Sequence, residues 1–446
     1  VPTSAPPEKP RDAEENRPGP HRITVLADSD TRWKWGAATA RRIAPDTLPE
    51  GLLLRGRATP TARQLDEVGL AAEGLREVTA AGFLTAVATT DAEVIVLACV
   101  GGTVQAMLHG LAHAWRGRAR RPVVVTGYVG VVYEKLTDGL LLRHGADLVL
   151  ANSPYDAARF RAVYEGVGAD PGSVVTGALP FLGGAPHTPR PDGPRTVVLA
   201  VQPSVPESRE DRRYLLRRAA DHARRHTGRQ VIVKLRSKPG EHTTHIEEHP
   251  YPKLAAGLAT PPNLRFAYGP MADVLDEADL LVTVSSTAAL EAIHRGIPTA
   301  VLTDLGVREA LGNHHFLGSG CLASWDQLDA GALPSADAAW AARHGALPGP
   351  DPYATVRRRV TELAGGELPP LRPYYTAATA PGYLPALLAR HHLDAKGEPL
   401  PGSAPGQAPV GRLRGTVHRL VRDAARGAYR HGVQHVAPLI RRWGQL

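Results

Sequence analysis

Three stretches of this chain gather side chains that could do chemistry. In the first, the apolar run Leu280–Val284 passes straight into Ser285, Ser286 and Thr287, followed by Ala288–His294 with helical character. Hydroxyls placed where a strand turns into a helix lie beside backbone N–H groups that have no partner inside the helix, which suits a phosphate. Glu291, one helical turn further on, could accept hydrogen bonds from a ribose diol. The plainer alternative is that Ser285–Thr287 only cap the helix and Glu291 faces water. In the second stretch, Lys234 ends the apolar run Val231–Leu235 and Arg236 follows by two residues, so both can point to one edge. Cations there would offset charge building on a departing phosphate; a solvated basic loop is the alternative. The third stretch is Asp28–Gly36, after the apolar run Ile23–Ala27. Asp28 or Asp30 at a strand's carboxyl end could take a proton from an acceptor hydroxyl. Trp33 and Trp35 could stack on a sugar, or equally well pack at an interface. Gly101, Gly102 and Thr103, and the turn around Tyr128, are further candidates for a cleft edge, where glycine lets backbone approach a ligand. Tight strand–helix turns explain such glycines more commonly.

The elements needed to position these groups can be read from hydrophobic pattern. Short Val/Ile/Leu runs at 23–27, 93–98, 122–126, 146–151 and 173–177 alternate with helical stretches. After the Gly/Pro-rich segment 183–194 the alternation restarts, with runs at 196–201, 230–235, 264–268, 280–284 and 299–302. Uninterrupted apolar runs separated by helices are what parallel sheets covered on both faces require. The expected fold class is α/β, with two tandem Rossmann-like doubly wound domains followed by C-terminal helices. Two such domains set a cleft between the carboxyl ends of their strands, where the three stretches above would meet.

The expected division is a disordered segment 1–20, a first domain 21–182, a linker 183–194 and a second domain 195–330. A helical segment 331–397 packing across the domains, a second linker 398–411 and a basic amphipathic tail 412–446 would follow. Of the formal charge of +8, residues 411–446 supply +7 through eight arginines against Asp423. The remainder is nearly neutral and shows no aromatic-basic stripe, which argues against a nucleic-acid partner. Two cysteines, Cys99 and Cys321, cannot build a disulfide framework or a cysteine zinc site. The pairs His314-His315 and His242/His245 lack a carboxylate or cysteine at ligand spacing, so neither a metal nor a cofactor is expected. No apolar run reaches transmembrane length, and residues 1–20 hold no apolar core of the signal-peptide kind.

The stretch Asp279–Pro298, which reads ADLLVTVSSTAALEAIHRGIP from Ala278, resembles the second domain of GT-B glycosyltransferases, with bacterial capsule-type families of the sialyl- and Kdo-transferase kind the most similar. The likeness covers about 268–302 closely and 21–330 in its two-domain rhythm. It implies an acceptor-binding first domain and a nucleotide-donor-binding second domain. By that resemblance Ser285, Ser286 and Thr287 hold donor phosphate, Glu291 the ribose, and the loop Tyr268, Gly269, Pro270 and Met271 the base. Related families place His-Pro after the strand that ends here at Lys234. This chain departs from that pattern, with Lys238-Pro239 there and His249-Pro250 later. Some retaining GT-B enzymes carry a second glutamate where this chain has Thr283, so inversion is implied. Asp28-x-Asp30 also spells the metal pair of the GT-A fold, which the two-domain pattern disfavours.

The expected activity is transfer of a sugar from a nucleotide-activated donor to a cell-envelope polysaccharide or lipid-linked acceptor, without a metal. Two other readings remain open: a non-hydrolysing nucleotide-sugar epimerase, and a non-catalytic binding module. In the tail, Leu413, Val417, Leu420, Val421, Ala424 and Ala428 form a stripe opposite Arg419, Arg422, Arg426 and Arg430. Such a helix fits an anionic membrane surface, or packing against the body. The expected location is the cytoplasm, with a peripheral contact at the inner face of the membrane.

Overall fold

The computed structural model describes residues 21–131, 135–238, 241 and 247–401. Residues 1–20, the pair His242/His245 and the arginine-rich tail 412–446 lie outside them.

Apolar runs become strands wherever helices cover both faces. In the first sheet these are β1 (Ile23–Ala27), β2 (Glu50–Leu54), β3 (Glu73–Val78), β4 (Val94–Ala98), β5 (Val123–Gly127), β6 (Leu148–Ala151) and β7 (Val174–Thr176). Their order is β3-β2-β1-β4-β5-β6-β7, and the pairings are parallel. Every residue of β1, β4 and β5 is buried, as a central parallel strand demands. Burying one Val or Leu in such a core contributes about 1.5–3 kcal/mol. The sequence reading passed over β2 and β3. β3 is a polar edge strand (EGLREV) with exposed or half-buried positions, so the apolar signal is missing.

The second sheet holds β8 (Thr196–Ala200), β9 (Gln230–Lys234), β10 (Leu264–Ala267), β11 (Leu280–Thr283), β12 (Thr299–Leu302) and the two-residue β13 (Leu322–Ala323). It is also parallel, ordered β10-β9-β8-β11-β12-β13. Both sheets are therefore doubly wound, and each reverses direction once, between β1 and β4 and between β8 and β11. Ligands of open α/β sheets bind at the carboxyl edge of such a reversal. The register aligns these edges, with Ala27 opposite Ala98 and Ala200 opposite Thr283.

Residues 183–194 contain no helix or strand. They are pinned to the second body by Asp279, which accepts from the backbone N–H groups of Arg195 and Thr196 and from Arg190. Burial alone would push the Asp279 carboxyl up, but these bonds hold it below the usual carboxylate range.

Beyond β13 the chain first stays with the second sheet, where Trp340 and Ala346 join its core. It then returns to the first, placing Tyr353, Val356 and Val360 in that core. The chain thus passes between the bodies twice, near Gly177 and again between Ala346 and Tyr353. At this place the Tyr353 hydroxyl donates to the Ala178 carbonyl at 2.9 Å. The helix Leu384–Ala389 finally packs Leu384, Leu387 and Leu388 into the first body. Among the described residues, no helix is long and apolar enough to cross a membrane.

Candidate functional site

The carboxyl edge of the second sheet is shaped by two side chains that tie its reversal together. Gln202, just after β8, offers Oε1 to the Ser285 N–H (3.1 Å) and hydroxyl (3.2 Å) beyond β11. Thr283 donates to Ala200 O at 2.8 Å and accepts from the Ser286 N–H at 3.1 Å. Ser285 is thereby buried and engaged, whereas Ser286 and Thr287 are half-buried. The helix Ala288–His294 begins after Thr287 with no side-chain cap from that residue. Ser286 Oγ accepts from the Ala288 N–H at 3.2 Å. Thr287 instead lies against the first body: a Cβ added to Gly130 would come within 2.7 Å of its Oγ1. The loop after β5 and the Ser-Thr turn after β11 therefore face each other.

Beneath this contact lies a group of buried charges. Lys234 is 4% exposed and its Nζ donates to Leu235 O at 2.7 Å. Burial lowers its pKa to about 8, with Glu67 and Glu291 opposing the shift and Lys34 and Arg236 adding to it. Glu291 is 7% exposed, and its carboxylate makes no hydrogen bond among the described residues. Burial raises its carboxyl, while Lys34, Arg295 and Lys234 pull it back. Glu291 therefore faces cations of both bodies and not bulk water. Lys34, on the helix Asp30–Ile43, comes from the first body and holds its ammonium 4.5 Å from the centre of the Phe181 ring.

A second contact across the bodies lies beside it. Arg236 donates to Asp30 Oδ1 at 3.2 Å and to the Thr31 hydroxyl. Asp30 Oδ2 makes no hydrogen bond among the described residues. Asp28 differs, because both its oxygens are used: Oδ1 accepts from Arg32 at 3.1 Å and Oδ2 from the Val100 N–H at 2.9 Å. Arg63 of the first body pairs with Glu241 of the second, and with Glu67 at 2.6 Å.

The remaining candidates divide between cleft and core. Tyr268 is half-buried at the edge, with the Lys238 ammonium 5.9 Å from its ring centre. Gly269 sits at φ +93, a conformation other residues avoid. Met271 opens the helix Met271–Glu277. Trp33 and Trp35 require correction. They are 0% and 1% exposed, inside the first core, where Cβ atoms on Gly51 and Gly127 would strike them. Neither ring can stack on a sugar. Tyr128 turns its hydroxyl inward, with the Arg143 guanidinium 4.0 Å from its ring centre. Gly101 and Gly102 are the first residues of the helix Gly101–Ala114, not a turn before it, and side chains there would press on Leu142 and Leu387. Thr103, one residue on, lines a cavity at the carboxyl ends of β1 to β4.

Sequence reasoning singled out neither Lys34 nor Gln202. Lys34 sits between two core tryptophans on one helix, and its role depends on a second body arriving opposite. His222, His226 and Asp329 bring donor atoms together on the far side of the second sheet. Protein groups already engage two of the three: His222 Nδ1 is 2.7 Å from Asp329, its Nε2 3.2 Å from Arg229, and Arg218 reaches Asp329 at 3.2 Å, while His226 Nε2 is buried without a partner among the described residues. Three nearby arginines, Arg218, Arg225 and Arg229, oppose a cation there.

The model of a family described as "Putative glycosyltransferase (DUF6716)" matches residues 23–363, which span both sheets. No curated protein matches the chain. Among solved structures, UDP-GlcNAc 2-epimerase from Methanocaldococcus jannaschii is similar at 10% identity and TM-score 0.48, over 77% of this chain and 100% of that one. The Neisseria meningitidis UDP-GlcNAc 2-epimerase bound to UDP-GlcNAc gives 10% and 0.43, over 77% and 98%. A spinosyn rhamnosyltransferase gives 16% and 0.39, over 77% and 95%. These scores lie below 0.5, and the two-domain GT-B-like fold rests on the strand order itself.

Proposed function

The chain belongs to the family described as "Putative glycosyltransferase (DUF6716)", and from that membership we propose how it carries out glycosyl transfer. It takes a sugar from a nucleotide-activated donor and passes it to a hydroxyl of a cell-envelope polysaccharide or lipid-linked acceptor. The donor lies along the carboxyl edge of the second sheet. Ser286 and Thr287 meet its phosphates, Tyr268, Gly269 and Met271 its base, and Glu291 its ribose. Ser285 acts through Gln202 to fix the turn.

The observation that supports this reading best is that half-buried Lys34 of the first body and buried Lys234 of the second lie near enough to buried Glu291 to act on its charge. Buried charges without full hydrogen bonding are costly, and they gather where chemistry needs them. As the bond from the sugar carbon to the phosphate oxygen breaks, negative charge grows on the diphosphate, and Lys234, Lys34 and Arg236 stabilise it. Arg236 must release Asp30 to do so, which leaves that carboxylate to take the proton of the acceptor hydroxyl as its oxygen attacks. Attack from the face opposite the leaving group inverts the sugar carbon. These protein cations do the charge work, and no step calls on a metal.

The test is calorimetric titration of the full chain with CMP, CDP, UDP, GDP and their sugars, then of a Ser286→Ala, Thr287→Ala variant. Binding of one nucleotide, weakened at least tenfold in the variant, is expected. Unchanged affinity overturns the phosphate assignment. Conversion of the donor's sugar to its epimer with no acceptor present would overturn transfer in favour of epimerisation.

A further inference from the structure

The reversal of the first sheet also holds a crevice, and it is an open cavity of about 420 Å³. Its walls come from the carboxyl ends of β1 to β4 and from Arg390, His391 and His392, which follow the last helix. Four guanidinium groups line it, those of Arg32, Arg55, Arg57 and Arg390, against one carboxylate, Asp28. Asp28 is already bonded to Arg32 and to the Val100 N–H. Glu77 stands 3.7 Å from Arg55 and offsets it in part. Four arginines against these two carboxylates leave a formal excess of positive charge.

Two further features point to an anion. The 14-residue helix Gly101–Ala114 starts at this wall with no side-chain cap, so its first N–H groups and the positive end of its dipole face the cavity. Thr103, in that first turn, is 5% exposed, and its hydroxyl has no hydrogen-bond partner among the described residues. A hydroxyl held on a cavity wall by a residue this buried, with no protein partner, is free to bond a ligand there.

The walls are built to stay in place. The buried Thr59 side chain accepts from the Gly56 N–H at 2.7 Å and donates to Gly56 O at 2.9 Å, which shapes the loop that presents Arg55 and Arg57. His392 holds φ +56, an uncommon conformation for a residue with a Cβ, and its carbonyl accepts from the Leu400 N–H at 2.9 Å. Such backbone outliers persist where surrounding structure enforces them, often at ligand sites. Burial lowers the His391 pKa, so this ring stays neutral near pH 7.

We infer that this cavity binds a phosphate or carboxylate carried by the acceptor, so that the acceptor is an anionic glycan. The inference rests on the transferase reading only for the word acceptor. Asp28 lies on the cavity wall and Asp30 in the cleft, and two residues of chain span at most about 7 Å. The anionic group therefore sits close to the hydroxyl that attacks. Arginine forks recognise either acid bidentately, and the volume leaves room for the sugar that bears it.

Calorimetry on the full chain tests this, with the donor crevice saturated by whichever nucleotide binds. The probes are glucose 6-phosphate, glucuronate and, as neutral control, glucose. At least one acidic sugar is expected to bind and glucose not to. The stronger of the two acidic probes identifies the source of the charge. Arg57→Gln with Arg390→Gln, both exposed, should weaken that binding at least tenfold and leave nucleotide affinity unchanged. Thr103→Val should weaken it a few-fold. Equal binding of glucose, or acidic-sugar binding that survives the arginine substitutions, overturns the inference. If a nucleotide binds and neither acidic sugar does, the cavity assignment fails alone. If no nucleotide binds but arginine-dependent sugar binding persists, the transferase reading fails and an acidic-sugar site remains.

Discussion

The two crevices occupy equivalent places in two sheets of the same winding, yet they hold charge in opposite ways. In the second, Gln202 and Thr283 draw the strand ends together, and the charged groups Lys234 and Glu291 lie buried. In the first, Asp28 bridges to Val100, and the arginines at 55, 57 and 390 remain exposed around an open cavity. Exposed guanidinium groups cost little and keep their charge at any ordinary pH. A buried ammonium is costly and titrates near neutrality. A shared topology thus yields one crevice suited to tuned chemistry and another suited to holding charge.

The largest expected break comes from Lys234→Met. Loss of the cation should weaken nucleoside-diphosphate binding by about 10–100-fold, the scale of a hydrogen bond to a charged group. The same change should raise the melting temperature of the nucleotide-free protein, because a buried charge is replaced by apolar volume. A lower melting temperature would mean that the lysine is structural. Gln202→Ala should follow, at about 1–3 kcal/mol of stability by denaturant titration, since it removes the acceptor that binds both the Ser285 N–H and its hydroxyl. An effect within experimental error would show that water closes this crevice as well as Gln202 does.

pH separates the crevices next. The folded pKa of Lys234, about 8, lies below its ordinary 10.5. Between these values the unfolded chain binds a proton that the folded chain does not, so this group adds stability as pH rises from about 8 to 10.5. Nucleotide affinity should fall over that same window, whereas acidic-sugar affinity in the first crevice should stay flat from pH 7.5 to 9, on the order of a 1.5-unit range in which arginine does not titrate. Parallel losses in both titrations would erase the contrast. Arg236→Gln should have the smallest effect on stability, about 0–1 kcal/mol, because its pair with Asp30 is partly exposed. Its readout is a few-fold change in nucleotide affinity.

The parts of this arrangement that sequence made legible are those with a local cause. β1, β4, β8 and β11 announce themselves because burial on both faces leaves no polar position to interrupt the run. The turn Ser285–Thr287 and the end of β9 at Lys234 follow from where those runs stop. Trp33 and Trp35 misled, because an indole that stacks on sugar and one that fills a core are the same residue, and only the opposing Gly51 and Gly127 decide between them. β3 escaped because an edge strand has no second apolar face. The first crevice was beyond reach, since Arg390 meets Arg55 only after the chain has visited the second body and returned.

That return has a mechanical consequence. Both crossings run through one spot, where Tyr353 bonds to Ala178 beside Gly177. A fulcrum of this kind moves least where the chain passes and most at the rims farthest from it, so a small rotation there is amplified along the cleft. Tyr353→Phe would leave both crevices chemically intact and loosen the pivot between them.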